Sequence, residues 1–302
     1  MSNPLNIVAL SLRPISPKLQ QAIQIKAANI GILISPYEEV EESTQLVSKE
    51  KTFSYRWRTN KNLTTVDRSA MREIAVNYAT DLAYIPSTFD SKNMRILAMD
   101  MDSTLINIEC IDEIADFAGK KPEVSKITEA TMRGEIKDFS ESLRQRVALL
   151  KGVSVSVLES VYKERLRPNP GAMKLLRTAN SLGLHTLLVS GGFTFFTDKL
   201  QEELGFTQAK ANTLEIQNGL LTGNVLGDIV DDVGKAAHLD NACKIVGCSK
   251  LNTVTIGDGA NDLLMMTGSG LSIAYRAKPV VKEKADVAFD YVDLDAALVL
   301  IT

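Results

Sequence analysis

Apolar positions change rhythm near residue 94. Before it, strand-like and helix-like stretches are mixed. Asn6–Leu12 is apolar-rich and reads as a strand, and Pro17–Ile30 spaces its apolar residues like a helix, with Ser16 placed to cap it. Thr52–Arg58 alternates Phe53, Tyr55 and Trp57 with Ser54, Arg56 and Arg58, the pattern of a half-buried strand. Ser69–Thr80 reads as a helix and Asp81–Ile85 as a short strand. Together these predict a small α+β unit over residues 1–93, with the polar stretch Ser87–Asn93, after Pro86, as its linker.

Beyond the linker, Arg95–Met99 is a short apolar run ending at Asp100, as a buried parallel strand would be. Cys110 to Arg167 reads as nearly all helix, with candidate starts at Asp112, Ser125, Asp138 and Ser154. Apolar runs and helical patterns then alternate: Leu175–Leu182, His185–Val189, Phe195–Leu204, Lys235–Val246, Thr253–Ile256, Asp262–Thr267 and Leu271–Ala274. That alternation predicts an α/β fold over residues 94–302. Its core is a doubly wound parallel sheet, with a helical insertion at about 110–170 after its first strand.

Composition narrows the function. The 302 residues fit about two domains, and 45% hydrophobic with 24% charged residues excludes a disordered chain. A net charge of −3 gives no support for nucleic-acid binding, and no apolar run approaches the length of a membrane span. Met1 to Leu12 has no basic stretch before an apolar core, so no signal peptide is expected and the cytoplasm is the expected location. Cys110, Cys243 and Cys248 are too few for a disulfide framework or a zinc site. The residues six positions after them, Asp116, Ser249 and Val254, exclude a cysteine-phosphatase loop. His185 and His238 form no evident nucleophilic triad, and neither a Walker phosphate loop nor a G-x-S-x-G elbow occurs. Carboxylates are left as the expected workers.

Four features carry that chemistry. Asp100 and Asp102 follow a strand and can face one pocket, where mutual repulsion would separate their protonation steps. One can then act as nucleophile and the other as acid and base, although an Asp turn closing a strand is an equally fair reading of this motif alone. Ser190-Gly191-Gly192 ends another apolar run, where a small hydroxyl and open backbone amides can hold phosphate oxygens or simply make a strand-to-helix turn. Asp258 and Asp262, in Gly257-Asp258-Gly259-Ala260-Asn261-Asp262, suit Mg²⁺ or helix capping. Lys235 would by default be solvated, unless converging carboxylates and a phosphate dianion call for a fixed cation.

In order, D-x-D-[ST]-T, S-G-G, a lysine and G-D-G-x-N-D resemble the haloacid dehalogenase superfamily of Mg²⁺-dependent phosphotransferases. Ile108 to Ala115, Phe193 to Phe196 and Ala277-Lys278-Pro279 make residues 94–300 similar to its phosphoserine phosphatase family. Residues 1–93 resemble, less distinctively, amino-acid-binding ACT domains. The resemblance implies Mg²⁺-dependent hydrolysis of phosphoserine, the last step of serine biosynthesis. Asp100 would be the nucleophile and Asp102 the acid and base. Mg²⁺ would be held by Asp100, the Asp102 carbonyl and Asp258, with Asp262 supporting that shell. Ser190, Gly191, Lys235 and Asn261 would bind the phosphoryl group. The helical insertion would be a cap in which Glu109 meets the substrate ammonium, Arg146 its carboxylate, and Phe139 lines an apolar wall. A small-molecule substrate is implied, with no nucleic acid or membrane partner, and a homodimer is left open. A phosphatase or phosphotransferase for another phosphomonoester is the rival on the same core, and a catalytically silent serine sensor is the rival of another class.

Overall fold

The computed structural model describes residues 5–36, 38–39, 52–132, 136 and 138–302. Met1–Pro4, the start of the stretch read as lacking a signal peptide, lie outside them. Strand β1 (Leu5–Ser11) leads to helix α1 (Pro17–Asn29), where the Ser16 hydroxyl accepts from the Leu19 amide at 3.2 Å. After β2 (Glu38–Glu39) and β3 (Phe53–Thr59), α2 (Thr65–Val76) begins four residues earlier than its apolar spacing indicates. Thr64 and Asp67 cap each other there, so the helix starts at polar residues. β4 (Asp81–Ile85) matches its expected span.

The alternation of β3 holds only on one face. Trp57 joins Ile7, Ala9 and Leu82 in a core beneath α1 and α2. Ser54 is buried as well, because it pairs with Leu10, and Val8, Leu10 and Ala83 on that face belong to the main core of the chain.

The larger part runs β5 (Ile96–Met99), α3 (Cys110–Phe117), α4 (Lys121–Met132), α5 (Phe139–Ala148), α6 (Ser156–Ser160), α7 (Ala172–Ser181), β6 (His185–Phe193) and α8 (Thr194–Leu204). It continues with β7 (Gln208–Gln217), β8 (Leu220–Leu226), α9 (Asp232–Val246), β9 (Thr253–Gly257), α10 (Leu263–Met266), β10 (Leu271–Tyr275), α11 (Pro279–Lys284), β11 (Val287–Phe289) and α12 (Leu298–Ile301). Asp138 caps α5 as expected, with its carboxylate accepting from the Ser140 amide. α4 begins at Lys121 rather than Ser125, since Pro122 is tolerated in a first turn whose amides have no helical partner.

Among the described residues, one sheet has the order β2-β3-β1-β4-β11-β10-β9-β5-β6-β7-β8. From β11 to β7 all pairings are parallel. β4 pairs antiparallel with β11, Ala83 opposite Val287, so the strands of residues 5–85 continue this sheet. At the far edge, β7 and β8 form an antiparallel hairpin that the sequence reading missed. Its turn residues Asn218 and Gly219 both have positive φ, as a tight hairpin requires. β5 lies between β9 and β6, and the chain leaves it in opposite directions along the sheet. That is where an open α/β sheet forms a crevice at its carboxyl edge.

Candidate active site

Asp100 follows the last residue of β5, and the chain turns at once: Asp100 Oδ1 accepts from the Met101 amide at 2.7 Å. This turn presents three side chains in succession. Asp102 accepts from the Cys110 amide at 3.2 Å, Ser103 donates to Glu109, and the buried Thr104 hydroxyl donates to Asp258 Oδ1 at 3.0 Å. Asn169 fastens the turn from beneath by donating to the Thr104 and Ile106 carbonyls.

Beside it, β9 ends in Gly257 and Asp258. Asp262 folds back beneath that end, and its Oδ2 accepts from the Asp258 and Gly259 amides at 3.1 and 3.0 Å. A methyl on Gly257 would lie 2.5 Å from the Asp262 carboxylate, so glycine is required by contact there. Lys235, in the first turn of α9 and fully buried, puts its ammonium 2.8 Å from both Asp100 Oδ1 and Asp262 Oδ1. On the other side of β5, β6 carries Ser190, Gly191 and Gly192. Methyls on these two glycines would lie 2.8 Å from Phe139 Cζ and 2.7 Å from Asp102 Oδ2 respectively.

These ends form the floor of a cavity of about 440 Å³, roofed by α3 and α5. Asp100, Asp102, Glu109, Phe139, Arg146, Ser190, Gly191, Asp258 and Asn261 all line it. Lys235 and Asp262 do not; they lie behind Asp100 and Asp258. Thr128, Asp112 and Lys278 are among the lining residues that had been given no role. Asp112 stands one helical turn from Glu109, a spacing that signals a shared face. Lys278 donates its amide to the Asp258 carbonyl. Thr104, quoted in the motif without a role, couples the two acidic segments.

Burial governs the electrostatics. It pushes the Asp100 carboxyl well above its ordinary value, with Lys235 opposing the shift and Asp262 and Asp258 adding to it. Asp102 is raised to about 7 by burial and by the Glu109 charge, and Asp258 to about 6 by burial and by Asp262. Lys235 moves the other way: although burial disfavours its charge, Asp100 and Asp262 hold it firmly protonated. Arg146 is half-buried, and burial lowers its pKa against the pull of Asp112, Glu109 and Asp102. Among the described residues its guanidinium makes one hydrogen bond, from Nε to the Ser142 carbonyl, so the outer fork stays open to the cavity.

A hard cation fits this donor set. Carboxylate oxygens of Asp100, Asp258 and Asp262 lie within 4.8 Å of one another. Asp262 already uses one oxygen for Lys235 and the other for two amides. Asp100 and Asp258 each keep an oxygen, Oδ2, without a partner among the described residues. Two partly desolvated carboxylates converging this way match the oxygen ligands of Mg²⁺.

The sequence pattern of the haloacid dehalogenase-like hydrolases matches residues 97–267, from within β5 to just past α10. The chain belongs to that family. Among similar proteins, a phosphoserine phosphatase of Polaromonas is 55% identical over 213 residues, covering 69% of this chain and 90% of its own. Another, from Haemophilus influenzae, is 45% identical over 68% of this chain and 65% of its own. Among solved structures, a haloacid dehalogenase family hydrolase from Salmonella enterica serovar Typhi superposes with a TM-score of 0.85 at 29% identity, over 98% of both chains. A probable phosphoserine phosphatase from Vibrio cholerae superposes at 0.78 and 34% identity, over 98% of this chain and 86% of that one. In this haloacid dehalogenase-like hydrolase the matched region therefore contains Asp100, Asp102, Lys235, Asp258 and Asp262 together with the helices that roof them.

Proposed function

We propose that this hydrolase converts O-phospho-L-serine and water to L-serine and phosphate through an aspartyl phosphate on Asp100. On this reading it is a cytoplasmic, Mg²⁺-dependent enzyme that completes serine biosynthesis. The observation that carries the reading is the charge pattern of the roof. Glu109 and the open fork of Arg146 line the same cavity as the Asp100–Asp102 pair, so an acid and a base await a zwitterion beside a nucleophile.

In the first step a carboxylate oxygen of Asp100 attacks phosphorus, and the bond from phosphorus to the serine oxygen breaks. Asp102, held near neutrality in pKa, gives its proton to that oxygen, which would otherwise leave as a poor alkoxide. In the second step Asp102 takes a proton from a water that attacks phosphorus, the bond from phosphorus to the Asp100 oxygen breaks, and phosphate leaves with Asp100 again a carboxylate and Asp102 again protonated. Mg²⁺, held by Asp100, Asp258 and the Asp102 carbonyl, would supply positive charge against the phosphoryl oxygens. Ser190, the Gly191 amide and Asn261 orient the phosphoryl group, and Lys235 fixes the Asp100 carboxylate from behind. Phe139 supplies the apolar wall.

Phosphate release from a panel of phosphomonoesters, with and without Mg²⁺, tests the reading. Phosphoserine should be preferred, chelation should abolish turnover, and Asp100→Asn should bind substrate without hydrolysing it. Equal rates across the panel would reduce the assignment to a general phosphatase.

A further inference from the structure

Ser103 has φ +56° and ψ −7°, the left-handed conformation, in the turn between the two reactive carboxylates and the roof. A side chain there is disfavoured relative to the conformations it prefers, and glycine would avoid that cost. Its hydroxyl donates to Glu109 Oε1 at 2.6 Å, the short distance of an O–H bond to a charged carboxylate. The Ser103 amide donates to the Ile108 carbonyl at 3.1 Å, which closes the 103–108 loop and brings Glu109 back over the turn. Glu109 is exposed and has no other polar side-chain partner among the described residues, so without this bond its carboxylate would sample several rotamers. A strained residue persists where the surroundings use it.

We infer that Ser103 is a positioning residue: its hydroxyl fixes the Glu109 carboxylate in the orientation that receives the ammonium of an amino-acid phosphate. This deepens the reading above and rests on Glu109 as the ammonium acceptor. The bond uses Oε1 and leaves Oε2 without a hydrogen-bond partner among the described residues, on a side chain that lines the cavity. The left-handed backbone delivers the hydroxyl to that oxygen, which glycine would leave without a donor.

The test is a double-mutant cycle on the Mg²⁺-loaded enzyme with Ser103→Gly, Ser103→Ala and Glu109→Gln, reading KM and kcat for phosphoserine together with thermal midpoints. Glycine removes both the hydroxyl and the strain, whereas alanine removes the hydroxyl alone. Both should raise KM about ten-fold, the loss of one charge-assisted bond, with a smaller change in kcat. The thermal midpoint of Ser103→Gly should not fall. In the Glu109→Gln background the Ser103 substitutions should change KM less than two-fold, because the charge they orient is gone and only a weak amide acceptor remains. Equal KM increases in both backgrounds would overturn the inference and leave Glu109 as the ammonium acceptor. If Glu109→Gln itself left KM unchanged, the inference would fall together with the amino-acid reading on which it rests.

Discussion

The Lys235 ammonium lies 2.8 Å from Asp100 Oδ1 and is fully buried with it, so the candidate nucleophile is pinned by a cation that water does not reach. The same ammonium holds Asp262, which in turn holds the two amides after β9. One side chain thereby sets the spacing of the β5 and β9 ends. Lys235→Met should leave two buried carboxylates facing each other without a counter-charge. Breaking such a cluster from one side costs about 3–5 kcal/mol. Urea unfolding should show that loss, and turnover should be undetectable. A variant of native stability would mean that the carboxylates find other compensation.

Gly192 tests how closely the floor is built. Its φ is not in the left-handed region, so the requirement for glycine is one of contact alone. An alanine methyl would meet Asp102 Oδ2 and Met101 Cε, each at 2.7 Å. Moving the acid by a fraction of an ångström should lower kcat by roughly 100-fold, with about 1–3 kcal/mol lost from overpacking. Retention of more than half the native kcat would show that Asp102 has room to move.

Asp81 joins the first strands to the carboxyl-terminal end of the chain. Its two oxygens accept from the amides of Asp290, Tyr291 and Val292. Burial raises its pKa to about 6, from 3.8, against the pull of those amides. Between these values the folded chain keeps a proton that the unfolded chain has lost. Its contribution to stability is therefore complete below about pH 4 and declines as the pH rises through 6. Relative to Asp81→Asn, the native chain should be most favoured at pH 4 and lose up to about 3 kcal/mol of that advantage by pH 7. Urea midpoints at four pH values decide it, and an advantage that grows with pH would contradict the sign.

None of the described residues before Asp100 lines the cavity. We propose residues 1–93 as a separate unit, and a fragment from Ser91 to Thr302 should keep phosphate release. It should also melt at a lower temperature, because it uncovers the β11 edge that pairs with Ala83 and strips Asp81 from its three amides. A folded fragment without turnover would show that the first strands complete the site.

Strand ends were the most legible part of the chain. Asp100 and Asp258 each follow a run that closes where a buried parallel strand stops, whereas Ser190 closes its apolar run inside β6, which continues to Phe193. Less legible was depth. Periodicity places Lys235 near the start of a helix but not against Asp100, since that contact depends on how α9 lies across β5 and β6. The β7–β8 hairpin went unread because its strands are half exposed and weakly apolar, although Asn218-Gly219 was there to signal the turn. Capping set helix starts where hydrophobic spacing could not, as Thr64 and Asp67 do for α2. Arg146 entered only through the resemblance, because helical periodicity does not fix where a guanidinium fork points.

That fork carries the last prediction. Arg146 is partly desolvated on the cavity wall, its fork open, near Asp112 and Glu109. A planar guanidinium can take a carboxylate by two parallel bonds, which a generic aryl phosphate cannot supply. Losing such a contact in a closed site should cost on the order of 2–4 kcal/mol. Roughly, kcat/KM for phosphoserine should drop 30- to 1000-fold in Arg146→Ala. The aryl phosphate should suffer far less, because its transfer draws on the floor of the cavity and not on the roof. Glu109→Gln should show the same contrast less steeply, since the amide still offers an oxygen to the ammonium. The quantity to measure is the ratio of the two substrates' kcat/KM values in native and variant enzymes. If Arg146→Ala leaves that ratio unchanged, Arg146 does not read the amino-acid carboxylate, and the open fork serves the fold of the cap instead.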